Sequence, residues 1–372
     1  MRLCCCATSA SLNSGSDAKR APFLATSRPI RIGIAGLGFG LSVHLPALRQ
    51  IDGVEVAALL GHDPDRVKCA QERTGIPAHT DLDAFLSQDL RAVTVAVPPD
   101  EAVQIVSAAL ERGLPVLCEK PLGPNSQIAR VLAKRAARVP CAVDFEFADL
   151  VTFRALQHAV AEGSIGRIRH VAVVWLSQSR AHRGGGWSWK TDADRGGILP
   201  LFAAHLLYML ELLLGPAEQV SARLDNDATA KLVPQRAARA AADTVVVSMA
   251  HRGGGLSSLL VGNASPGLSV HRWTIGGEAG GAVLDNPGGD PVSVFTLDVF
   301  GGNSALLSRI HEPAADGDGR IPPFRRLAAR FVEAVRTDGR CSPDFNDGAR
   351  VAALLDVIRQ AAKSGRWIDI AP

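Results

Sequence analysis

The order of apolar runs predicts a doubly wound parallel α/β domain over residues 29–145. A second, strand-rich unit is predicted over 146–372. Two observations carry this. From 29 to 145, short β-branched runs alternate with helical stretches, the pattern of a parallel sheet covered on both faces. Beyond that, segments of strand composition succeed one another with Gly- or Pro-rich turns between them. A chain of 372 residues is long enough for two domains and a sizeable core.

The elements follow in order. IRIGIA (30–35) is a strand and LSVHLPALRQI (41–51) a helix; VEVAALL (54–60) is a strand and PDRVKCAQERTG (64–75) a helix. AVTVAV (92–97) leads into the helix DEAVQIVSAALERG (100–113). The strands PVLCEK and CAVDFE flank the helix SQIARVLAKRAAR. In the second unit RHVAVVWLSQS, TVVVSMAH, LSSLLVGNA, SVHRWTIGG, AVLDN and VSVFTLDVF read as strands. LFAAHLLYMLELLLG is interrupted by His205 and Glu211 and is read as a buried helix. FRRLAARFVEAVRTDG and DGARVAALLDVIRQAAKSG carry apolar residues at helical spacing and are packing helices.

Composition narrows the classes of partner. Hydrophobic residues at 47% and charged residues at 21% are ordinary for a globular protein. The net charge is +3 with scattered basic residues, which argues against a nucleic-acid surface. No apolar run reaches the roughly 20 residues of a membrane span, so no membrane partner is expected. The cysteines (Cys4, Cys5, Cys6, Cys69, Cys118, Cys141 and Cys341) are odd in number and form no C-x-x-C pair. They fit a reducing, cytoplasmic setting rather than a disulfide framework or a metal site. Residues 1–28, rich in Ser and Ala, lack the apolar core of a secretory signal and read as a disordered or atypical tail.

The stretch RIGIAGLGFGL places Gly36, Gly38 and Gly40 between the first strand and the first helix. Gly36 permits the tight turn, and Gly38 lets backbone approach a pyrophosphate at the helix N-terminus. The third small residue is usual one position later, where Leu41 stands; Gly40 is expected to take its packing role. This context predicts dinucleotide binding. A ribose-binding acid is expected about 20 residues on, at the end of the second strand. Asp63, before Pro64, is better placed as a helix cap, which leaves Gly61 at the strand end. With no carboxylate to repel a 2′-phosphate, and His62 and Arg66 as positive partners, the cofactor is expected to be NADP or NAD, with NADP preferred. A solvated turn accounts for the same residues.

Glu119-Lys120-Pro121 after the fourth strand resembles the E-K-P motif of the glucose–fructose oxidoreductase/inositol dehydrogenase (Gfo/Idh/MocA) family. The segments GLGFGLSVHLPALR, VAVPPDEA, EGSIGRIRHV, GGILPLFAAHLLYMLELLLG and the C-terminal FVEAVRTDGRCSPDFNDGARVAALLDVIRQAAKSGRWIDI extend the likeness over most of the chain from residue 30. The resemblance implies a Rossmann domain plus a C-terminal α+β domain with an open, mostly antiparallel sheet that often mediates homo-oligomer formation. It implies a nicotinamide-dependent oxidoreductase acting on a polyhydroxylated small molecule: a sugar, a cyclitol or a related hydroxy/keto compound. Phe39, Pro98 and Glu119 join the glycines on the cofactor side, and Lys120 becomes the group that manages the substrate's proton. A partly desolvated lysine beside a cationic nicotinamide suits proton transfer. Pro121 permits a cis Lys-Pro bond that would aim Lys120 into the cleft.

The likeness then breaks. The family pattern G-G-x-x-x-D-x-G-x-H matches Gly196-Gly197 and His205, but Leu201 stands where its Asp belongs. Tyr208 replaces a second Asp, and Ala102 replaces a His. Positions 201 and 205 share a helical face, so leucine removes the carboxylate that would orient the imidazole. His205 is either an active-site group that binds a substrate hydroxyl or a satisfied core histidine. In SRAHRGGGWSWKTDADRGG, Asp192 or Asp194 would restore the carboxylate, and Trp187, Lys190 and Arg195 would contact substrate; solvated loop charges explain the same composition. Trp189-Lys190 resembles a substrate-side pair of the family. Two classes remain: a dehydrogenase, or a dinucleotide-binding sensor or scaffold without catalysis.

Overall fold

The computed structural model describes residues 28–370, apart from 180, 185 and 289–291. The expected tail, with Cys4, Cys5 and Cys6, lies outside the described residues except for Arg28.

Six strands, β1 (Ile30–Ala35), β2 (Val54–Leu60), β3 (Ala78–His79), β4 (Ala92–Val95), β5 (Val116–Glu119) and β6 (Cys141–Asp144), form one sheet. Its order is β3-β2-β1-β4-β5-β6, with every pair parallel. This is the doubly wound order, and its strand order reverses beside β1, where such sheets bind nucleotides. The near-continuous apolar character of β1, β4 and β6 follows from burial on both faces.

The connecting helices are α1 (Leu45–Leu48), α2 (Pro64–Thr74), α3 (Leu82–Leu86), α4 (Pro99–Glu111) and α5 (Ser126–Arg135). Asp63 caps α2, accepting from Arg66 N at 2.9 Å, and Asn125 caps α5 in the same way. The helix expected over 41–51 opens instead as a π-helical turn, Gly40–His44, and closes after one α-helical turn.

The chain then runs through α6 (Val151–Ala161), β7 (Ile168–Leu176), α7 (Ala204–Leu214), β8 (Ala217–Asp225), α8 (Asp227–Leu232), β9 (Thr244–His251) and β10 (Gly255–Gly262). It continues with β11 (Val270–Gly277), β12 (Gly280–Asn286), β13 (Thr296–Gly301), β14 (Leu306–His311), α9 (Ile321–Thr337), α10 (Phe345–Ser364) and β15 (Ile368–Asp369). The nine-stranded sheet runs β14-β13-β12-β11-β7-β10-β9-β8-β15, and only β7–β10 is parallel. Its strands alternate as one-faced strands do: Val245, Val247 and Met249 are buried while Val246 between them is 47% exposed.

The last two helices return to the first sheet. Phe324, Leu327, Phe331 and Val335 of α9 complete the cluster that holds Ile30, Ile32 and Ile34 of β1 and Leu48 of α1. Asp149, buried in the segment leaving β6, accepts two hydrogen bonds from Arg330 of α9, at 2.6 and 2.8 Å, and one from Arg154 at 2.8 Å. The linker between the sheets is thereby fixed to the C-terminal helices.

Candidate active site at the carboxyl edge of the first sheet

The glycine turn leaves β1 at Gly36, whose φ of +111° and closeness to the Ala96 carbonyl exclude a side chain. A Cβ on Gly38 would meet nothing within 4 Å, so the backbone there borders open space ahead of the helix. The first N–H groups of a helix lack intrahelical partners, and they border that space. A Cβ on Gly40 would lie 2.8 Å from Ile34 Cγ2, so Gly40 carries the close strand–helix packing one position early. Leu41 packs, half-buried, against the same core. Phe39 sits at the turn with its ring edge-on to His44 at 5.4 Å and the Arg320 guanidinium 4.8 Å above it. Pro98 precedes the first turn of α4.

At the end of β2, Gly61 faces Leu37, which fills the space of a side chain. His62 and Arg66 are exposed beside it, and Arg66 Nη2 donates to Leu37 O at 3.4 Å. The carboxylate of Asp63 is occupied by its own helix, as its position before Pro64 indicates.

Lys120 follows β5 through a cis bond to Pro121 and crosses to the second half of the molecule. Its Nζ donates to Leu201 O at 2.8 Å and more loosely to Pro200 O at 3.4 Å. Both carbonyls belong to a second π-helical turn, Leu199–Ala203, which leads directly into α7. Irregular helical turns of this kind recur at functional sites. Leu201 therefore serves the lysine through its main chain, although its side chain cannot take the role of an aspartate.

His205, in the first turn of α7, is 3% exposed and stacks on Phe147 at 4.3 Å with 10° between the planes. Its Nδ1 lies 3.6 Å from Glu146 Oε2, and both atoms are buried without a hydrogen-bond partner. A carboxyl from the segment after β6 thus stands beside His205, where Leu201 in the turn before α7 offers none. The loop acids are committed elsewhere. Arg239 reaches Asp192 at 2.6 Å and Asp194 at 3.3 Å, which corrects the expectation that either stands in for the family aspartate. Arg195 is paired with Asp100 and Glu101 of α4, and Trp187 lies beneath the Arg236 guanidinium. The Lys190 ammonium lies over the Trp189 ring at 5.6 Å, and Gly197 N donates to Lys190 O at 2.9 Å, which ties the pair to the chain just before the second π-helical turn. Tyr208 stacks on Phe145, and Ala102 is buried in α4.

Glu146 belongs to an acid cluster that sequence reasoning missed. His44 points Nδ1 at Thr94 Oγ1, 3.1 Å away, and Nε2 at Glu119 Oε1, 3.4 Å away, with Asp144 Oδ2 at 3.7 Å. Burial pushes Asp144 well above the usual carboxylate range, and the charges of Glu146 and Glu119 add to it. Burial likewise lifts Glu146 to about 8, with Glu119 contributing. Burial acts on Glu119 in the same sense, but hydrogen bonds with His44 and Asp144 and the nearby Lys120 charge outweigh it and hold Glu119 low. His205 is driven well below its ordinary value, first by burial and then by the positive fields of Lys120 and His271. Among the described residues neither Asp144 oxygen has a hydrogen-bond partner, which agrees with the upward push on its carboxyl. His44, Glu119 and Asp144 stand within 4.8 Å of one another. The motifs SVHLPAL and VDFEFA held the signal: a histidine and two acids inside largely apolar runs.

Residues 30–147 match the model of an oxidoreductase family with an NAD-binding Rossmann fold, and residues 153–283 match the GFO/IDH/MocA C-terminal domain. An uncharacterized oxidoreductase from Synechocystis is 25% identical over 92% of this chain and 96% of its own length. A putative UDP-kanosamine synthase oxidoreductase subunit from Amycolatopsis mediterranei is 33% identical over half of each chain, 50% and 52% respectively. The crystal structure of levoglucosan dehydrogenase with NADH and levoglucosan superimposes with a TM-score of 0.81 at 22% identity, covering 92% of this chain and 100% of that one. No helix among the described residues is long and apolar enough to cross a membrane.

Proposed function

We propose that this chain, which belongs to the Gfo/Idh/MocA oxidoreductase family, transfers a hydride between a nicotinamide dinucleotide and a sugar, cyclitol or related hydroxy/keto compound. One observation carries the reading: Lys120 is held across the cleft at 2.8 Å from Leu201 O, at the turn that presents buried His205. The bound nicotinamide supplies the hydride acceptor or donor. Gly38 and the helix start behind it accommodate the pyrophosphate. The carbonyls of Pro200 and Leu201 occupy two ammonium N–H groups of Lys120 and leave the third for a substrate oxygen. His205, neutral at physiological pH, offers a second hydrogen bond there without a competing charge. Trp189 and Lys190, held to the chain just before the second π-helical turn, are the substrate-side pair of this reading.

The alternative, a dinucleotide-binding sensor without catalysis, drew its support from Leu201. Glu146 beside His205 weakens that support, because a carboxyl group still faces the imidazole although Leu201 and Ala102 depart from the family pattern. Gly61 in place of an acid, with exposed His62 and Arg66, supports NADP binding at least as tight as that of NAD. Calorimetric titration with both dinucleotides tests this; a clear preference for NAD overturns it. A homo-oligomer through the outer face of the nine-stranded sheet belongs to the same proposal, supported by Val246 and Leu256 standing exposed there at 47% and 60%. The central test is a panel of sugars, polyols and their keto forms, followed by absorbance of reduced cofactor. Tight dinucleotide binding with no turnover on the panel would leave the sensor reading standing.

A further inference from the structure

Two structural facts about Glu146 have no use in the proposed reaction as stated so far. Its Oε2 faces His205 Nδ1 at 3.6 Å, and neither atom has another partner although both are fully buried. Glu119 and Asp144 crowd the same carboxyl from the first sheet. Three carboxyl groups in one dry cluster cannot all ionise. The cationic groups facing Glu146 are Lys120 after β5 and Arg320 before α9, and Arg320 is already paired with Asp318. His205 itself is faced by Lys120 and by His271 of β11, both of which disfavour imidazolium.

We propose that Glu146 is the positioning residue of His205: a buried carboxylic acid that donates its proton to Nδ1 and so fixes the imidazole as the Nε2–H tautomer. An ionised aspartate at position 201, in the turn before α7, would do the opposite if it faced Nδ1. It would accept from Nδ1–H and leave Nε2 as a lone pair. Exchanging the helix acid for Glu146 therefore inverts what His205 offers the substrate. It becomes a hydrogen-bond donor to a substrate oxygen, while Lys120 retains the proton transfer. No atom balance changes, because the proton stays between Glu146 and His205 throughout. The inference rests on the dehydrogenase reading for its kinetic consequences but not for the tautomer itself.

The test has one arm that needs no substrate. In histidine-labelled protein bound to NAD(P), long-range proton–nitrogen spectra assigned with His205→Asn should show His205 Nδ1 unprotonated and Nε2 protonated at pH 7. Protonated Nδ1, alone or as imidazolium, overturns the proposal whether or not a substrate is found. In the second arm, Glu146→Leu should lower kcat about 10–100-fold, the usual effect of removing a partner that orients a histidine, with KM moving less than about twofold. Glu146→Gln, whose amide can donate but not ionise, should recover most of that loss. It should also flatten a fall in kcat that the unsubstituted enzyme shows above about pH 8. A Glu146→Gln enzyme with the alkaline fall unchanged, or no more active than Glu146→Leu, overturns the proposal. Absence of turnover in the unsubstituted protein sinks the dehydrogenase reading instead and leaves the spectroscopic arm decisive.

Discussion

His44 and His205 stand on opposite sides of one acid cluster. Each comes from a π-helical turn or the residue group just after it, and each is at most 3% exposed. They differ in what holds them. Both ring nitrogens of His44 have polar partners, and its face is covered by Phe324 at 4.1 Å in the core shared with α9. His205 has only the Glu146 carboxyl near Nδ1, at 3.6 Å, and lies in a positive field that resists its protonation. Burial is therefore no guide to function here. A satisfied imidazole braces the first sheet, whereas an incompletely satisfied one remains available for chemistry.

The largest expected effect breaks the working side. Lys120→Ala should reduce turnover about 10²–10⁴-fold, the usual contribution of a proton-transfer group, while dinucleotide affinity by calorimetry stays within a few-fold. Near-normal turnover on a confirmed substrate would remove Lys120 from the chemistry. Next come the two histidines. His205→Asn should cost activity with little change in denaturation midpoint. His44→Ala should lose stability by about 1–3 kcal/mol, because it strands buried polar atoms of Thr94 and Glu119. The reverse outcome would exchange the roles assigned above.

A third prediction uses pH. The folded chain keeps a proton on Glu146 up to about 8 that the unfolded chain releases above its ordinary 4.5. The group therefore weakens the fold progressively as pH rises through that window. Glu146→Gln should raise the melting temperature near pH 8 but hardly at pH 4, a gain of about 1–3 kcal/mol after allowance for proton sharing with Asp144. His205 works in the other direction: with its folded value depressed, stability falls as pH drops below 6.5. A melting curve flat in pH for both proteins would refute the assigned protonation states.

The smallest effects concern substitutions that restore or remove the wrong acids. Leu201→Asp should destabilise by about 1–3 kcal/mol, since it puts a carboxylate at a half-buried position now held by an apolar side chain, and should not raise turnover. Asp192→Asn and Asp194→Asn only loosen contacts to half-exposed Arg239, worth about 0–1 kcal/mol, and should leave kcat near normal. A large kinetic loss in either would return the loop to the active site.

Much of this arrangement was legible in the sequence. The alternation of apolar strand runs with helical stretches and the position of Asp63 before Pro64 led to a doubly wound sheet and a capped helix, because apolar periodicity and capping act locally. Leu201 was recognised as an acid lost. Its replacement was sought in the nearby loop, whereas Glu146 arrives from a segment almost sixty positions earlier in the chain. Nothing in sequence spacing encodes that meeting; it is made by sheet order. Short or one-sided elements also escaped. β14 has no buried residue, so its sequence lacks the alternation that marks a strand, and β3 is a single bridge of two residues. α6 was unassigned although its Thr152, Phe153 and Leu156 face the core.

The return of α9 to β1 bears on how the protein is made. Ile32 and Ile34 leave the ribosome long before Phe324, Leu327, Phe331 and Val335, which cover them. A nascent chain that has completed all six parallel strands still carries an uncovered apolar face beside the glycine turn. Such contacts between distant parts of a chain slow folding and expose intermediates to aggregation. Chains stalled before residue 320 should therefore bind chaperones and fail to retain dinucleotide, and capacity for the cofactor should appear abruptly once α9 has cleared the exit tunnel.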